Sequence, residues 1–298
     1  RKLLMWKKRI HCRWKLLFLL PAMLTIVATI YVPLIYAFYL SLFGGRGRKI
    51  EYVGLGNYTK LMSDDMFLSS LVNSFIFTAI IVPCILLLGC LLAYCLWNLK
   101  SSAAKRFLSI LYFMPSVTSP VAYSLFFKQI TYSDGIVSGI LKALHVLSDE
   151  SSLLNSVAGA RILISAICVW SWTGFYALIL RAAIDNINES AIEAAEMDGA
   201  STSKIFRKII LPNISPVLVM VCILSSCSIF ELYTEVALIT KGGPGITTYT
   251  MALYLYRKAF VYVSEFGYAS AIGIAVFVLL ILVCLVIIIQ KKVYGNEK

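Results

Sequence analysis

The sequence contains few charged residues. Only 14% of its 298 residues are Asp, Glu, Lys or Arg, whereas 60% are hydrophobic and the mean hydropathy is +0.84. A water-soluble domain typically has about 25% charged and about 45–50% apolar residues. The composition therefore excludes an ordinary soluble domain and predicts an integral membrane protein.

The sequence also has little that could hold a metal or perform catalysis. It contains two histidines, and none of its eight cysteines forms a Cys-x-x-Cys pair. Metal sites and disulfide frameworks usually show close cysteine spacing in polar loops, so we interpret the cysteines as reduced core residues. No segment matches Gly-x-x-x-x-Gly-Lys-Ser/Thr, the loop that binds nucleotide phosphates. We therefore expect no catalytic residue, no metal and no cofactor bound by this chain.

Six apolar stretches are long enough to cross a bilayer, which needs about 20 mainly apolar residues in a helix. The predicted fold is all-α, with six transmembrane helices in one domain covering residues 1–298. The spans are predicted at about residues 16–43, 72–98, 107–128, 160–181, 213–240 and 267–290. Pro115 and Pro120 predict irregular backbone in the third span.

The distribution of basic residues predicts the orientation. If the amino terminus is cytoplasmic, 17 of the 27 Lys and Arg residues lie in cytoplasmic segments and 10 lie outside. Cytoplasmic loops carry an excess of Lys and Arg, so both termini are predicted to be cytoplasmic. The net charge of +12 is thereby explained by membrane topology rather than by nucleic-acid binding.

One charged segment interrupts the apolar second half, "NESAIEAAEMDGASTSKIFRKIILP" at residues 188–212. Ser190 and Glu193 have the spacing of a capping box and predict the start of a short helix. Asp198 and Gly199 predict a turn, after which Ser201 or Ser203 could cap a second helix. The orientation places this pair of helices in the cytoplasm, as a docking knob for a partner or as an amphipathic segment on the bilayer surface.

The same segment resembles the EAA loop of the membrane subunits of binding-protein-dependent ABC importers. Further segments resemble the sugar-importer branch, of the maltose and glycerol-3-phosphate permease type. They are "YVPLIYAFYLSLF" at residues 31–43, "YVGLGNYTKLM" at 52–62, "MPSVTSPVAYSLFFK" at 114–128 and "LITKGGPGITTYTMALYLYRKAF" at 238–260. The resemblance covers nearly the whole chain.

The resemblance implies the type I permease fold of ABC importers, with a cytoplasmic coupling loop at residues 185–212 that fits a cleft of an ATPase subunit. The residues that it assigns to coupling are Glu193, Ala194, Ala195, Asp198, Gly199, Ala200, Phe206 and Pro212. It implies a second homologous permease, an extracytoplasmic solute-binding protein and two ATP-binding subunits that hold ATP and Mg. The expected setting is the membrane of a bacterial cell, with a carbohydrate as solute and no nucleic acid as partner.

Candidates for the solute path share aromatic or hydrogen-bonding side chains within the spans. They are Ser116, Thr118, Ser119, Tyr123, Trp172, Tyr176, Glu231, Tyr233, Glu235, Tyr268 and Ser270. Glu231 and Glu235 are four residues apart, so on one helix they would share a face directed at the path. We expect Glu231 to contact the solute and Glu235 to shape the entrance. Alternatively, both accept structural hydrogen bonds from a neighbouring helix.

Two other functions stay open at this point. The same machinery could carry a sugar phosphate or an acidic oligosaccharide, because basic residues such as Lys128 and Lys241 lie outside. A self-sufficient secondary transporter is the less favoured class, since such proteins usually show internal repeats.

Overall fold

The computed structural model describes residues 18–47, 49–144, 152–262 and 265–295. Its longer helices are α1 (Phe18–Ser41), α3 (Asp65–Asn98), α4 (Ser102–Val117), α5 (Pro120–Thr131), α7 (Val157–Asp185), α11 (Ser215–Phe230) and α14 (Phe266–Gly295). The shorter elements are β1 (Phe43–Arg46), β2 (Lys49–Tyr52), α2 (Gly56–Met62), α6 (Ile136–Ala143), α8 (Glu189–Met197), α9 (Thr202–Ile205), α10 (Leu211–Asn213), α12 (Thr234–Ile239) and α13 (Met251–Tyr256). Two compact units result: residues up to Met62 with Leu255–Ala275, and Ser63–Tyr254 with the chain from Val276 onward.

Five helical segments of the described chain are long and apolar enough to cross a membrane, and a bent pair of helices could supply a sixth. The five are Phe18–Ser41, Asp65–Asn98, Val157–Asp185, Ser215–Ile239 and Phe266–Gln290. Their hydrophobic composition and length match what a bilayer requires of a helix. The start of the first predicted span, residues 16 and 17, lies outside the described residues.

The third predicted span is not one straight helix. It consists of Ser102–Val117 and Pro120–Ala143, which meet at an angle of 90°. A residue that precedes proline avoids the helical conformation, and Ser119 has the extended ψ of 127°. Pro120 then occupies the first turn of α5, where its missing N–H costs no hydrogen bond. The break therefore follows from the proline, whereas Pro83 lies inside the continuous helix α3.

Helix α7 is the centre of the larger unit and packs against α3 and α4. Gly174 brings α7 against α4 so closely that a Cβ atom there would lie 1.7 Å from the carbonyl oxygen of Tyr112. Two helices can approach this closely only where one of them has no side chain, as at glycine positions of membrane helix interfaces. Gly174 thereby fixes the position of α4, and with it the position of the break before α5.

In the other unit, three basic side chains surround the carboxylate of Glu265. Arg46 Nε lies 2.7 Å from Oε1, while the Nζ atoms of Lys60 and Lys258 lie 3.3 and 3.9 Å from Oε2. The Glu265 side chain is only 8% exposed. Burial alone would raise its pKa, but the positive charge of Lys258 and the bonds from Arg46 and Lys60 outweigh burial and lower the pKa below the usual value. We call these four residues the Glu265 cluster.

Candidate solute path and coupling surface

The charged segment folds into short helices separated by a turn, as its sequence predicts, with one difference at its start. Helix α8 begins at Glu189, and its cap is Asn188, whose side chain accepts a hydrogen bond from the backbone N–H of Ser190. The predicted capping box with Ser190 as the cap is therefore wrong. Asparagine is as good a cap as serine, and here it lies two residues earlier. Ser201 precedes the second helix, α9, as one of the two predicted caps.

The turn between α8 and α9 is exposed. Gly199 has a φ of 73°, and a Cβ atom built there would meet nothing within 4 Å. The neighbouring Met197 is 88% exposed. Of the residues assigned to coupling, five are exposed and three are half-buried. The exposed ones are Glu193, Ala194, Asp198, Gly199 and Pro212, and the half-buried ones are Ala195, Ala200 and Phe206.

The far side of this segment is anchored to the helical core. Ile205 is 2% exposed, and the ring of Phe206 lies 4.6 Å from the ring of Tyr94 on α3. The helix continues through the π-helical turn Phe206–Ile210 into α10, where Pro212 again occupies the first turn. The exposed tip is therefore held on a base that packs against α3. We call residues 188–213 the coupling segment.

The fifth span is broken where its acidic residues lie. Helix α11 ends at Phe230 and α12 begins at Thr234. Glu231 is thus the first residue of a non-helical stretch, and Glu235 lies in the helix that follows it. The prediction that they share one helical face is therefore wrong. The backbone leaves the helix at Glu231, and four-residue spacing aligns side chains only within a continuous helix.

Glu235 is enclosed by the protein. It is 4% exposed, and its carboxylate accepts a short hydrogen bond from the hydroxyl of Tyr123, which is also 4% exposed. Tyr123 lies on α5, so the bond joins the segments that follow the breaks in the third and fifth spans. Leu163, Ile167 and Ile239 pack around this tyrosine. The structure thus places Glu235 as a hydrogen-bond acceptor for a neighbouring helix, the alternative that the sequence left open.

Glu231 is exposed, in contrast to Glu235. Its backbone N–H closes the last turn of α11 by bonding the carbonyl of Cys227. A carboxylate at membrane depth faces a bundle interior or a water-filled cavity, because contact with lipid is costly. The structure shows Glu231 on the surface of this chain, at the break of the fifth span.

The remaining path candidates are distributed over both units. Ser116 donates to the carbonyl of Ser171 at 2.7 Å, Thr118 donates to the carbonyl of Met114, and Ser119 is exposed at the start of α5. On α7, Trp172 is half-buried and Tyr176 is 5% exposed, and Tyr233 is half-buried in the break of the fifth span. In the other unit, Ser270 is half-buried, and the ring of Tyr268 lies 4.2 Å from Lys60 Nζ, beside the Glu265 cluster.

A mainly apolar cavity of about 570 Å³ lies between α3, α4 and α7, next to the break of the third span. Its lining includes Leu91, Tyr112, Thr118, Trp170 and Thr173. Trp170 is 46% exposed and offers an aromatic face to this cavity. The predicted candidate, Trp172, is not among the lining residues. The two tryptophans are two residues apart on α7, so the sequence alone does not show which of them faces the cavity. The packing of α7 against its neighbours decides this.

A polar network holds the loop that follows α12. Arg161 of α7 donates from Nε to the carbonyl of Thr247 at 3.1 Å and from Nη2 to Oδ1 of Asn73 at 2.8 Å. Asn73 of α3 in turn donates to the carbonyls of Ile246 and Tyr249. These bonds give side-chain donors to three backbone carbonyls of a partly buried loop. The segment "KGGPGITTY" is thereby fixed to two core helices.

Within the described part of the chain, no three His, Cys, Asp or Glu side chains form a group that could hold a metal ion.

Long apolar helices, two breaks in membrane-spanning segments and an exposed helix–turn–helix segment between two spans define a helical membrane protein of the transporter class. The comparison with known families agrees. Residues 53–293 match the family model of the binding-protein-dependent transport system inner membrane component, and the chain belongs to this family.

Named relatives are similar over most of the chain. The lactose transport system permease protein LacF of Rhizobium radiobacter is 33% identical over 259 residues, which cover 86% of this chain and 87% of that protein. The arabinooligosaccharides transport system permease protein AraP of Bacillus subtilis is 30% identical over 289 residues, covering 95% and 88%. The chain thus spans nearly the whole length of these permeases.

A solved structure shows the same fold. One chain of a bacterial ABC transporter involved in the import of the acidic polysaccharide alginate superposes with a TM-score of 0.82 at 20% sequence identity, covering 97% of this chain and 98% of that chain. The fold is therefore that of an ABC importer permease.

Proposed function

We propose that this chain forms one half of the translocation path of an ATP-driven carbohydrate importer and is coupled to ATP hydrolysis through residues 188–213. The observation that carries the proposal is the coupling segment itself. Its tip is exposed and has open space around Gly199, while its base is packed against α3. A charged, exposed knob between two membrane spans fits a groove on a soluble partner.

Carbohydrate is the proposed solute because the named relatives LacF and AraP are permeases for lactose and for arabinooligosaccharides. Sugars offer many hydroxyl donors, and a carboxylate such as that of Glu231 is a strong acceptor for them. The alternative is an acidic sugar. It is supported by the shared fold with the alginate importer and by similarity to the sulfoquinovosyl glycerol permease protein SmoG of Agrobacterium fabrum.

The proposed assembly contains a second permease, two ATP-binding subunits with ATP and Mg, and an extracytoplasmic solute-binding protein. A solved alginate importer in complex with its periplasmic protein supports the last partner. ATP hydrolysis is assigned to the partners in this proposal because the relatives LacF and AraP are permease proteins of transport systems. The proposed location is a bacterial cell membrane.

Purification of the chain from its native membrane tests this assembly. We expect a tagged copy to bring down one other permease and two copies of an ATP-binding subunit, and the complex to hydrolyse ATP. A chain that purifies alone, or with further copies of itself only, and that transports solute in that state would contradict the proposal and favour a secondary transporter.

The orientation is tested by thiol labelling in a cysteine-free variant. Asp134 lies between α5 and α6 and is exposed, and Ser201 lies in the coupling segment and is exposed. We expect Asp134→Cys to react with a membrane-impermeant maleimide in whole cells and Ser201→Cys to react only in inverted vesicles. Labelling of both positions from the same side would overturn the proposed topology.

A further inference from the structure

The long helices of the larger unit carry little charge away from their ends, apart from the two glutamates of the fifth span. Glu231 and Glu235 are the only charged residues of Ser215–Ile239. The two arginines of α7 lie near its ends. Arg161 bonds Asn73 and Thr247, and Arg181 pairs with Asp185 at 2.6 Å. No cation of α3, α7 or the fifth span therefore lies near the middle of the described helices.

The two glutamates differ in what they can offer a solute. The Glu235 carboxylate is buried and already accepts the hydroxyl of Tyr123. The Glu231 carboxylate is exposed, and among the described residues none forms a hydrogen bond or an ion pair with it. Glu231 is thus the carboxylate of this span that can contact a solute or the water that accompanies it.

We propose that Glu231 makes this chain's half of the path selective against anionic solutes, so that the transported carbohydrate carries no net negative charge. The inference rests on the proposed function, and it separates the two solute classes that remained open there. In this proposal, Glu231 discriminates between neutral and anionic solutes and does not merely increase the affinity for sugars in general.

The physical reason is the low polarizability of a membrane interior. In a narrow path with few mobile ions, a fixed negative charge repels an anion far more strongly than it does in bulk water. The same carboxylate attracts sugar hydroxyls as a charge-assisted acceptor. A uronic acid, sulfonate or phosphate would be repelled by Glu231, and no cation among the described residues of the fifth span offsets this repulsion. A neutral sugar would instead gain hydrogen bonds.

The charge at this position can be measured without knowing the solute. Ser228 precedes Glu231 by one turn of α11 and is half-buried. In the purified complex, assembled from a cysteine-free variant, Ser228→Cys serves as a reporter. Its reaction rates are compared for two methanethiosulfonates of similar size, one bearing a trimethylammonium group and one bearing a sulfonate.

We expect Glu231→Gln to lower the ratio of cationic to anionic rate by about 10-fold, as removal of a nearby unit charge requires. Glu231→Asp, which keeps the charge, should leave the ratio within about 2-fold of the parent. An unchanged ratio in the glutamine variant would overturn the proposal. A reporter that reacts with neither reagent would also overturn it, because Glu231 would then lie outside an aqueous path.

A second measurement connects the charge to selectivity. Once a neutral sugar is found to be taken up, its C6 carboxylate analogue is offered to the same complex. The parent should discriminate against the analogue by at least about 10-fold, and Glu231→Gln should reduce this discrimination. Equal uptake of both sugars by the parent would sink the selectivity claim while leaving the importer intact. If no carbohydrate is taken up although the reporter ratio shifts as expected, the proposed function fails and the charge assignment stands.

Discussion

Replacing Gly199 with tryptophan is expected to reduce ATP-driven uptake by about 100-fold, whereas alanine at the same position should leave most of the activity. A Cβ atom at Gly199 would meet nothing within 4 Å, so a larger side chain leaves the backbone here into open space. Overpacking of a closely fitted contact costs about 1–3 kcal/mol or more, and each 1.4 kcal/mol is about tenfold. A large loss in the tryptophan variant would therefore arise from the partner.

Alanine is the matched control because Gly199 has a left-handed φ of 73°. The left-handed backbone costs about 1–2 kcal/mol for alanine and for tryptophan alike, so the two variants differ mainly in the size of the side chain. Ala195→Arg tests the same interface from helix α8, where a half-buried alanine would be replaced by a charge. Uptake, membrane insertion and co-purification of the ATPase are measured for each variant. Equal activity of the tryptophan and alanine variants would show that no partner packs against this turn.

Removing the charge of Glu265 is expected to loosen the antiparallel hairpin formed by β1 and β2. In Glu265→Gln, Arg46, Lys60 and Lys258 lose their common carboxylate and are left to repel one another. The carboxylate is buried, but Arg46 and Lys60 are largely exposed and Lys258 is partly exposed. The expected loss is therefore about 2 kcal/mol, less than the roughly 3–5 kcal/mol for a broken pair that is fully buried. Hydrogen exchange of the peptide Phe43–Tyr52 should therefore accelerate by about 30-fold.

The control for this variant is Glu51→Gln on the neighbouring strand β2, where the glutamate is exposed and forms no ion pair among the described residues. It should change the exchange rate by less than about 2-fold. Since the folded-state pKa of Glu265 is lowered, its contribution is complete above the ordinary glutamate value of about 4.3 and is lost as pH falls through the lower folded value. Exchange that is equally fast in both variants, or protection that disappears already near neutral pH, would contradict the role of the Glu265 cluster.

Local signals in the sequence predicted the coupling segment well. Asp198 and Gly199 form the expected turn, and Pro212 lies in the first turn of the helix that leads into the fifth span. Such features depend on residues within a few positions of one another. The exact cap was missed because Asn188 and Ser190 are comparable caps two residues apart, and propensity alone does not choose between them.

The pairing of distant side chains could not be predicted in the same way. Tyr123 and Glu235 are separated by 112 residues, and Arg46 and Glu265 by 219. Each pair meets only because helices or strands pack in a particular order. Helical spacing suggested instead that Glu235 belongs with Glu231, and this interpretation failed when the helix ended at Phe230. A buried carboxylate needs a donor, but the sequence does not show which one.

The measurement that tests the central claim most directly is solute uptake by proteoliposomes that contain this chain with its co-purified permease and ATP-binding subunits. We expect a sugar to accumulate inside the proteoliposomes under two conditions. ATP must be present inside, on the same side of the membrane as the ATP-binding subunits, and the solute-binding protein must be present outside. We also expect Gly199→Trp to abolish accumulation, whereas Gly199→Ala should not abolish it. Accumulation without ATP, or ATP-driven accumulation that persists in the tryptophan variant, would contradict an importer coupled through the segment of residues 188–213.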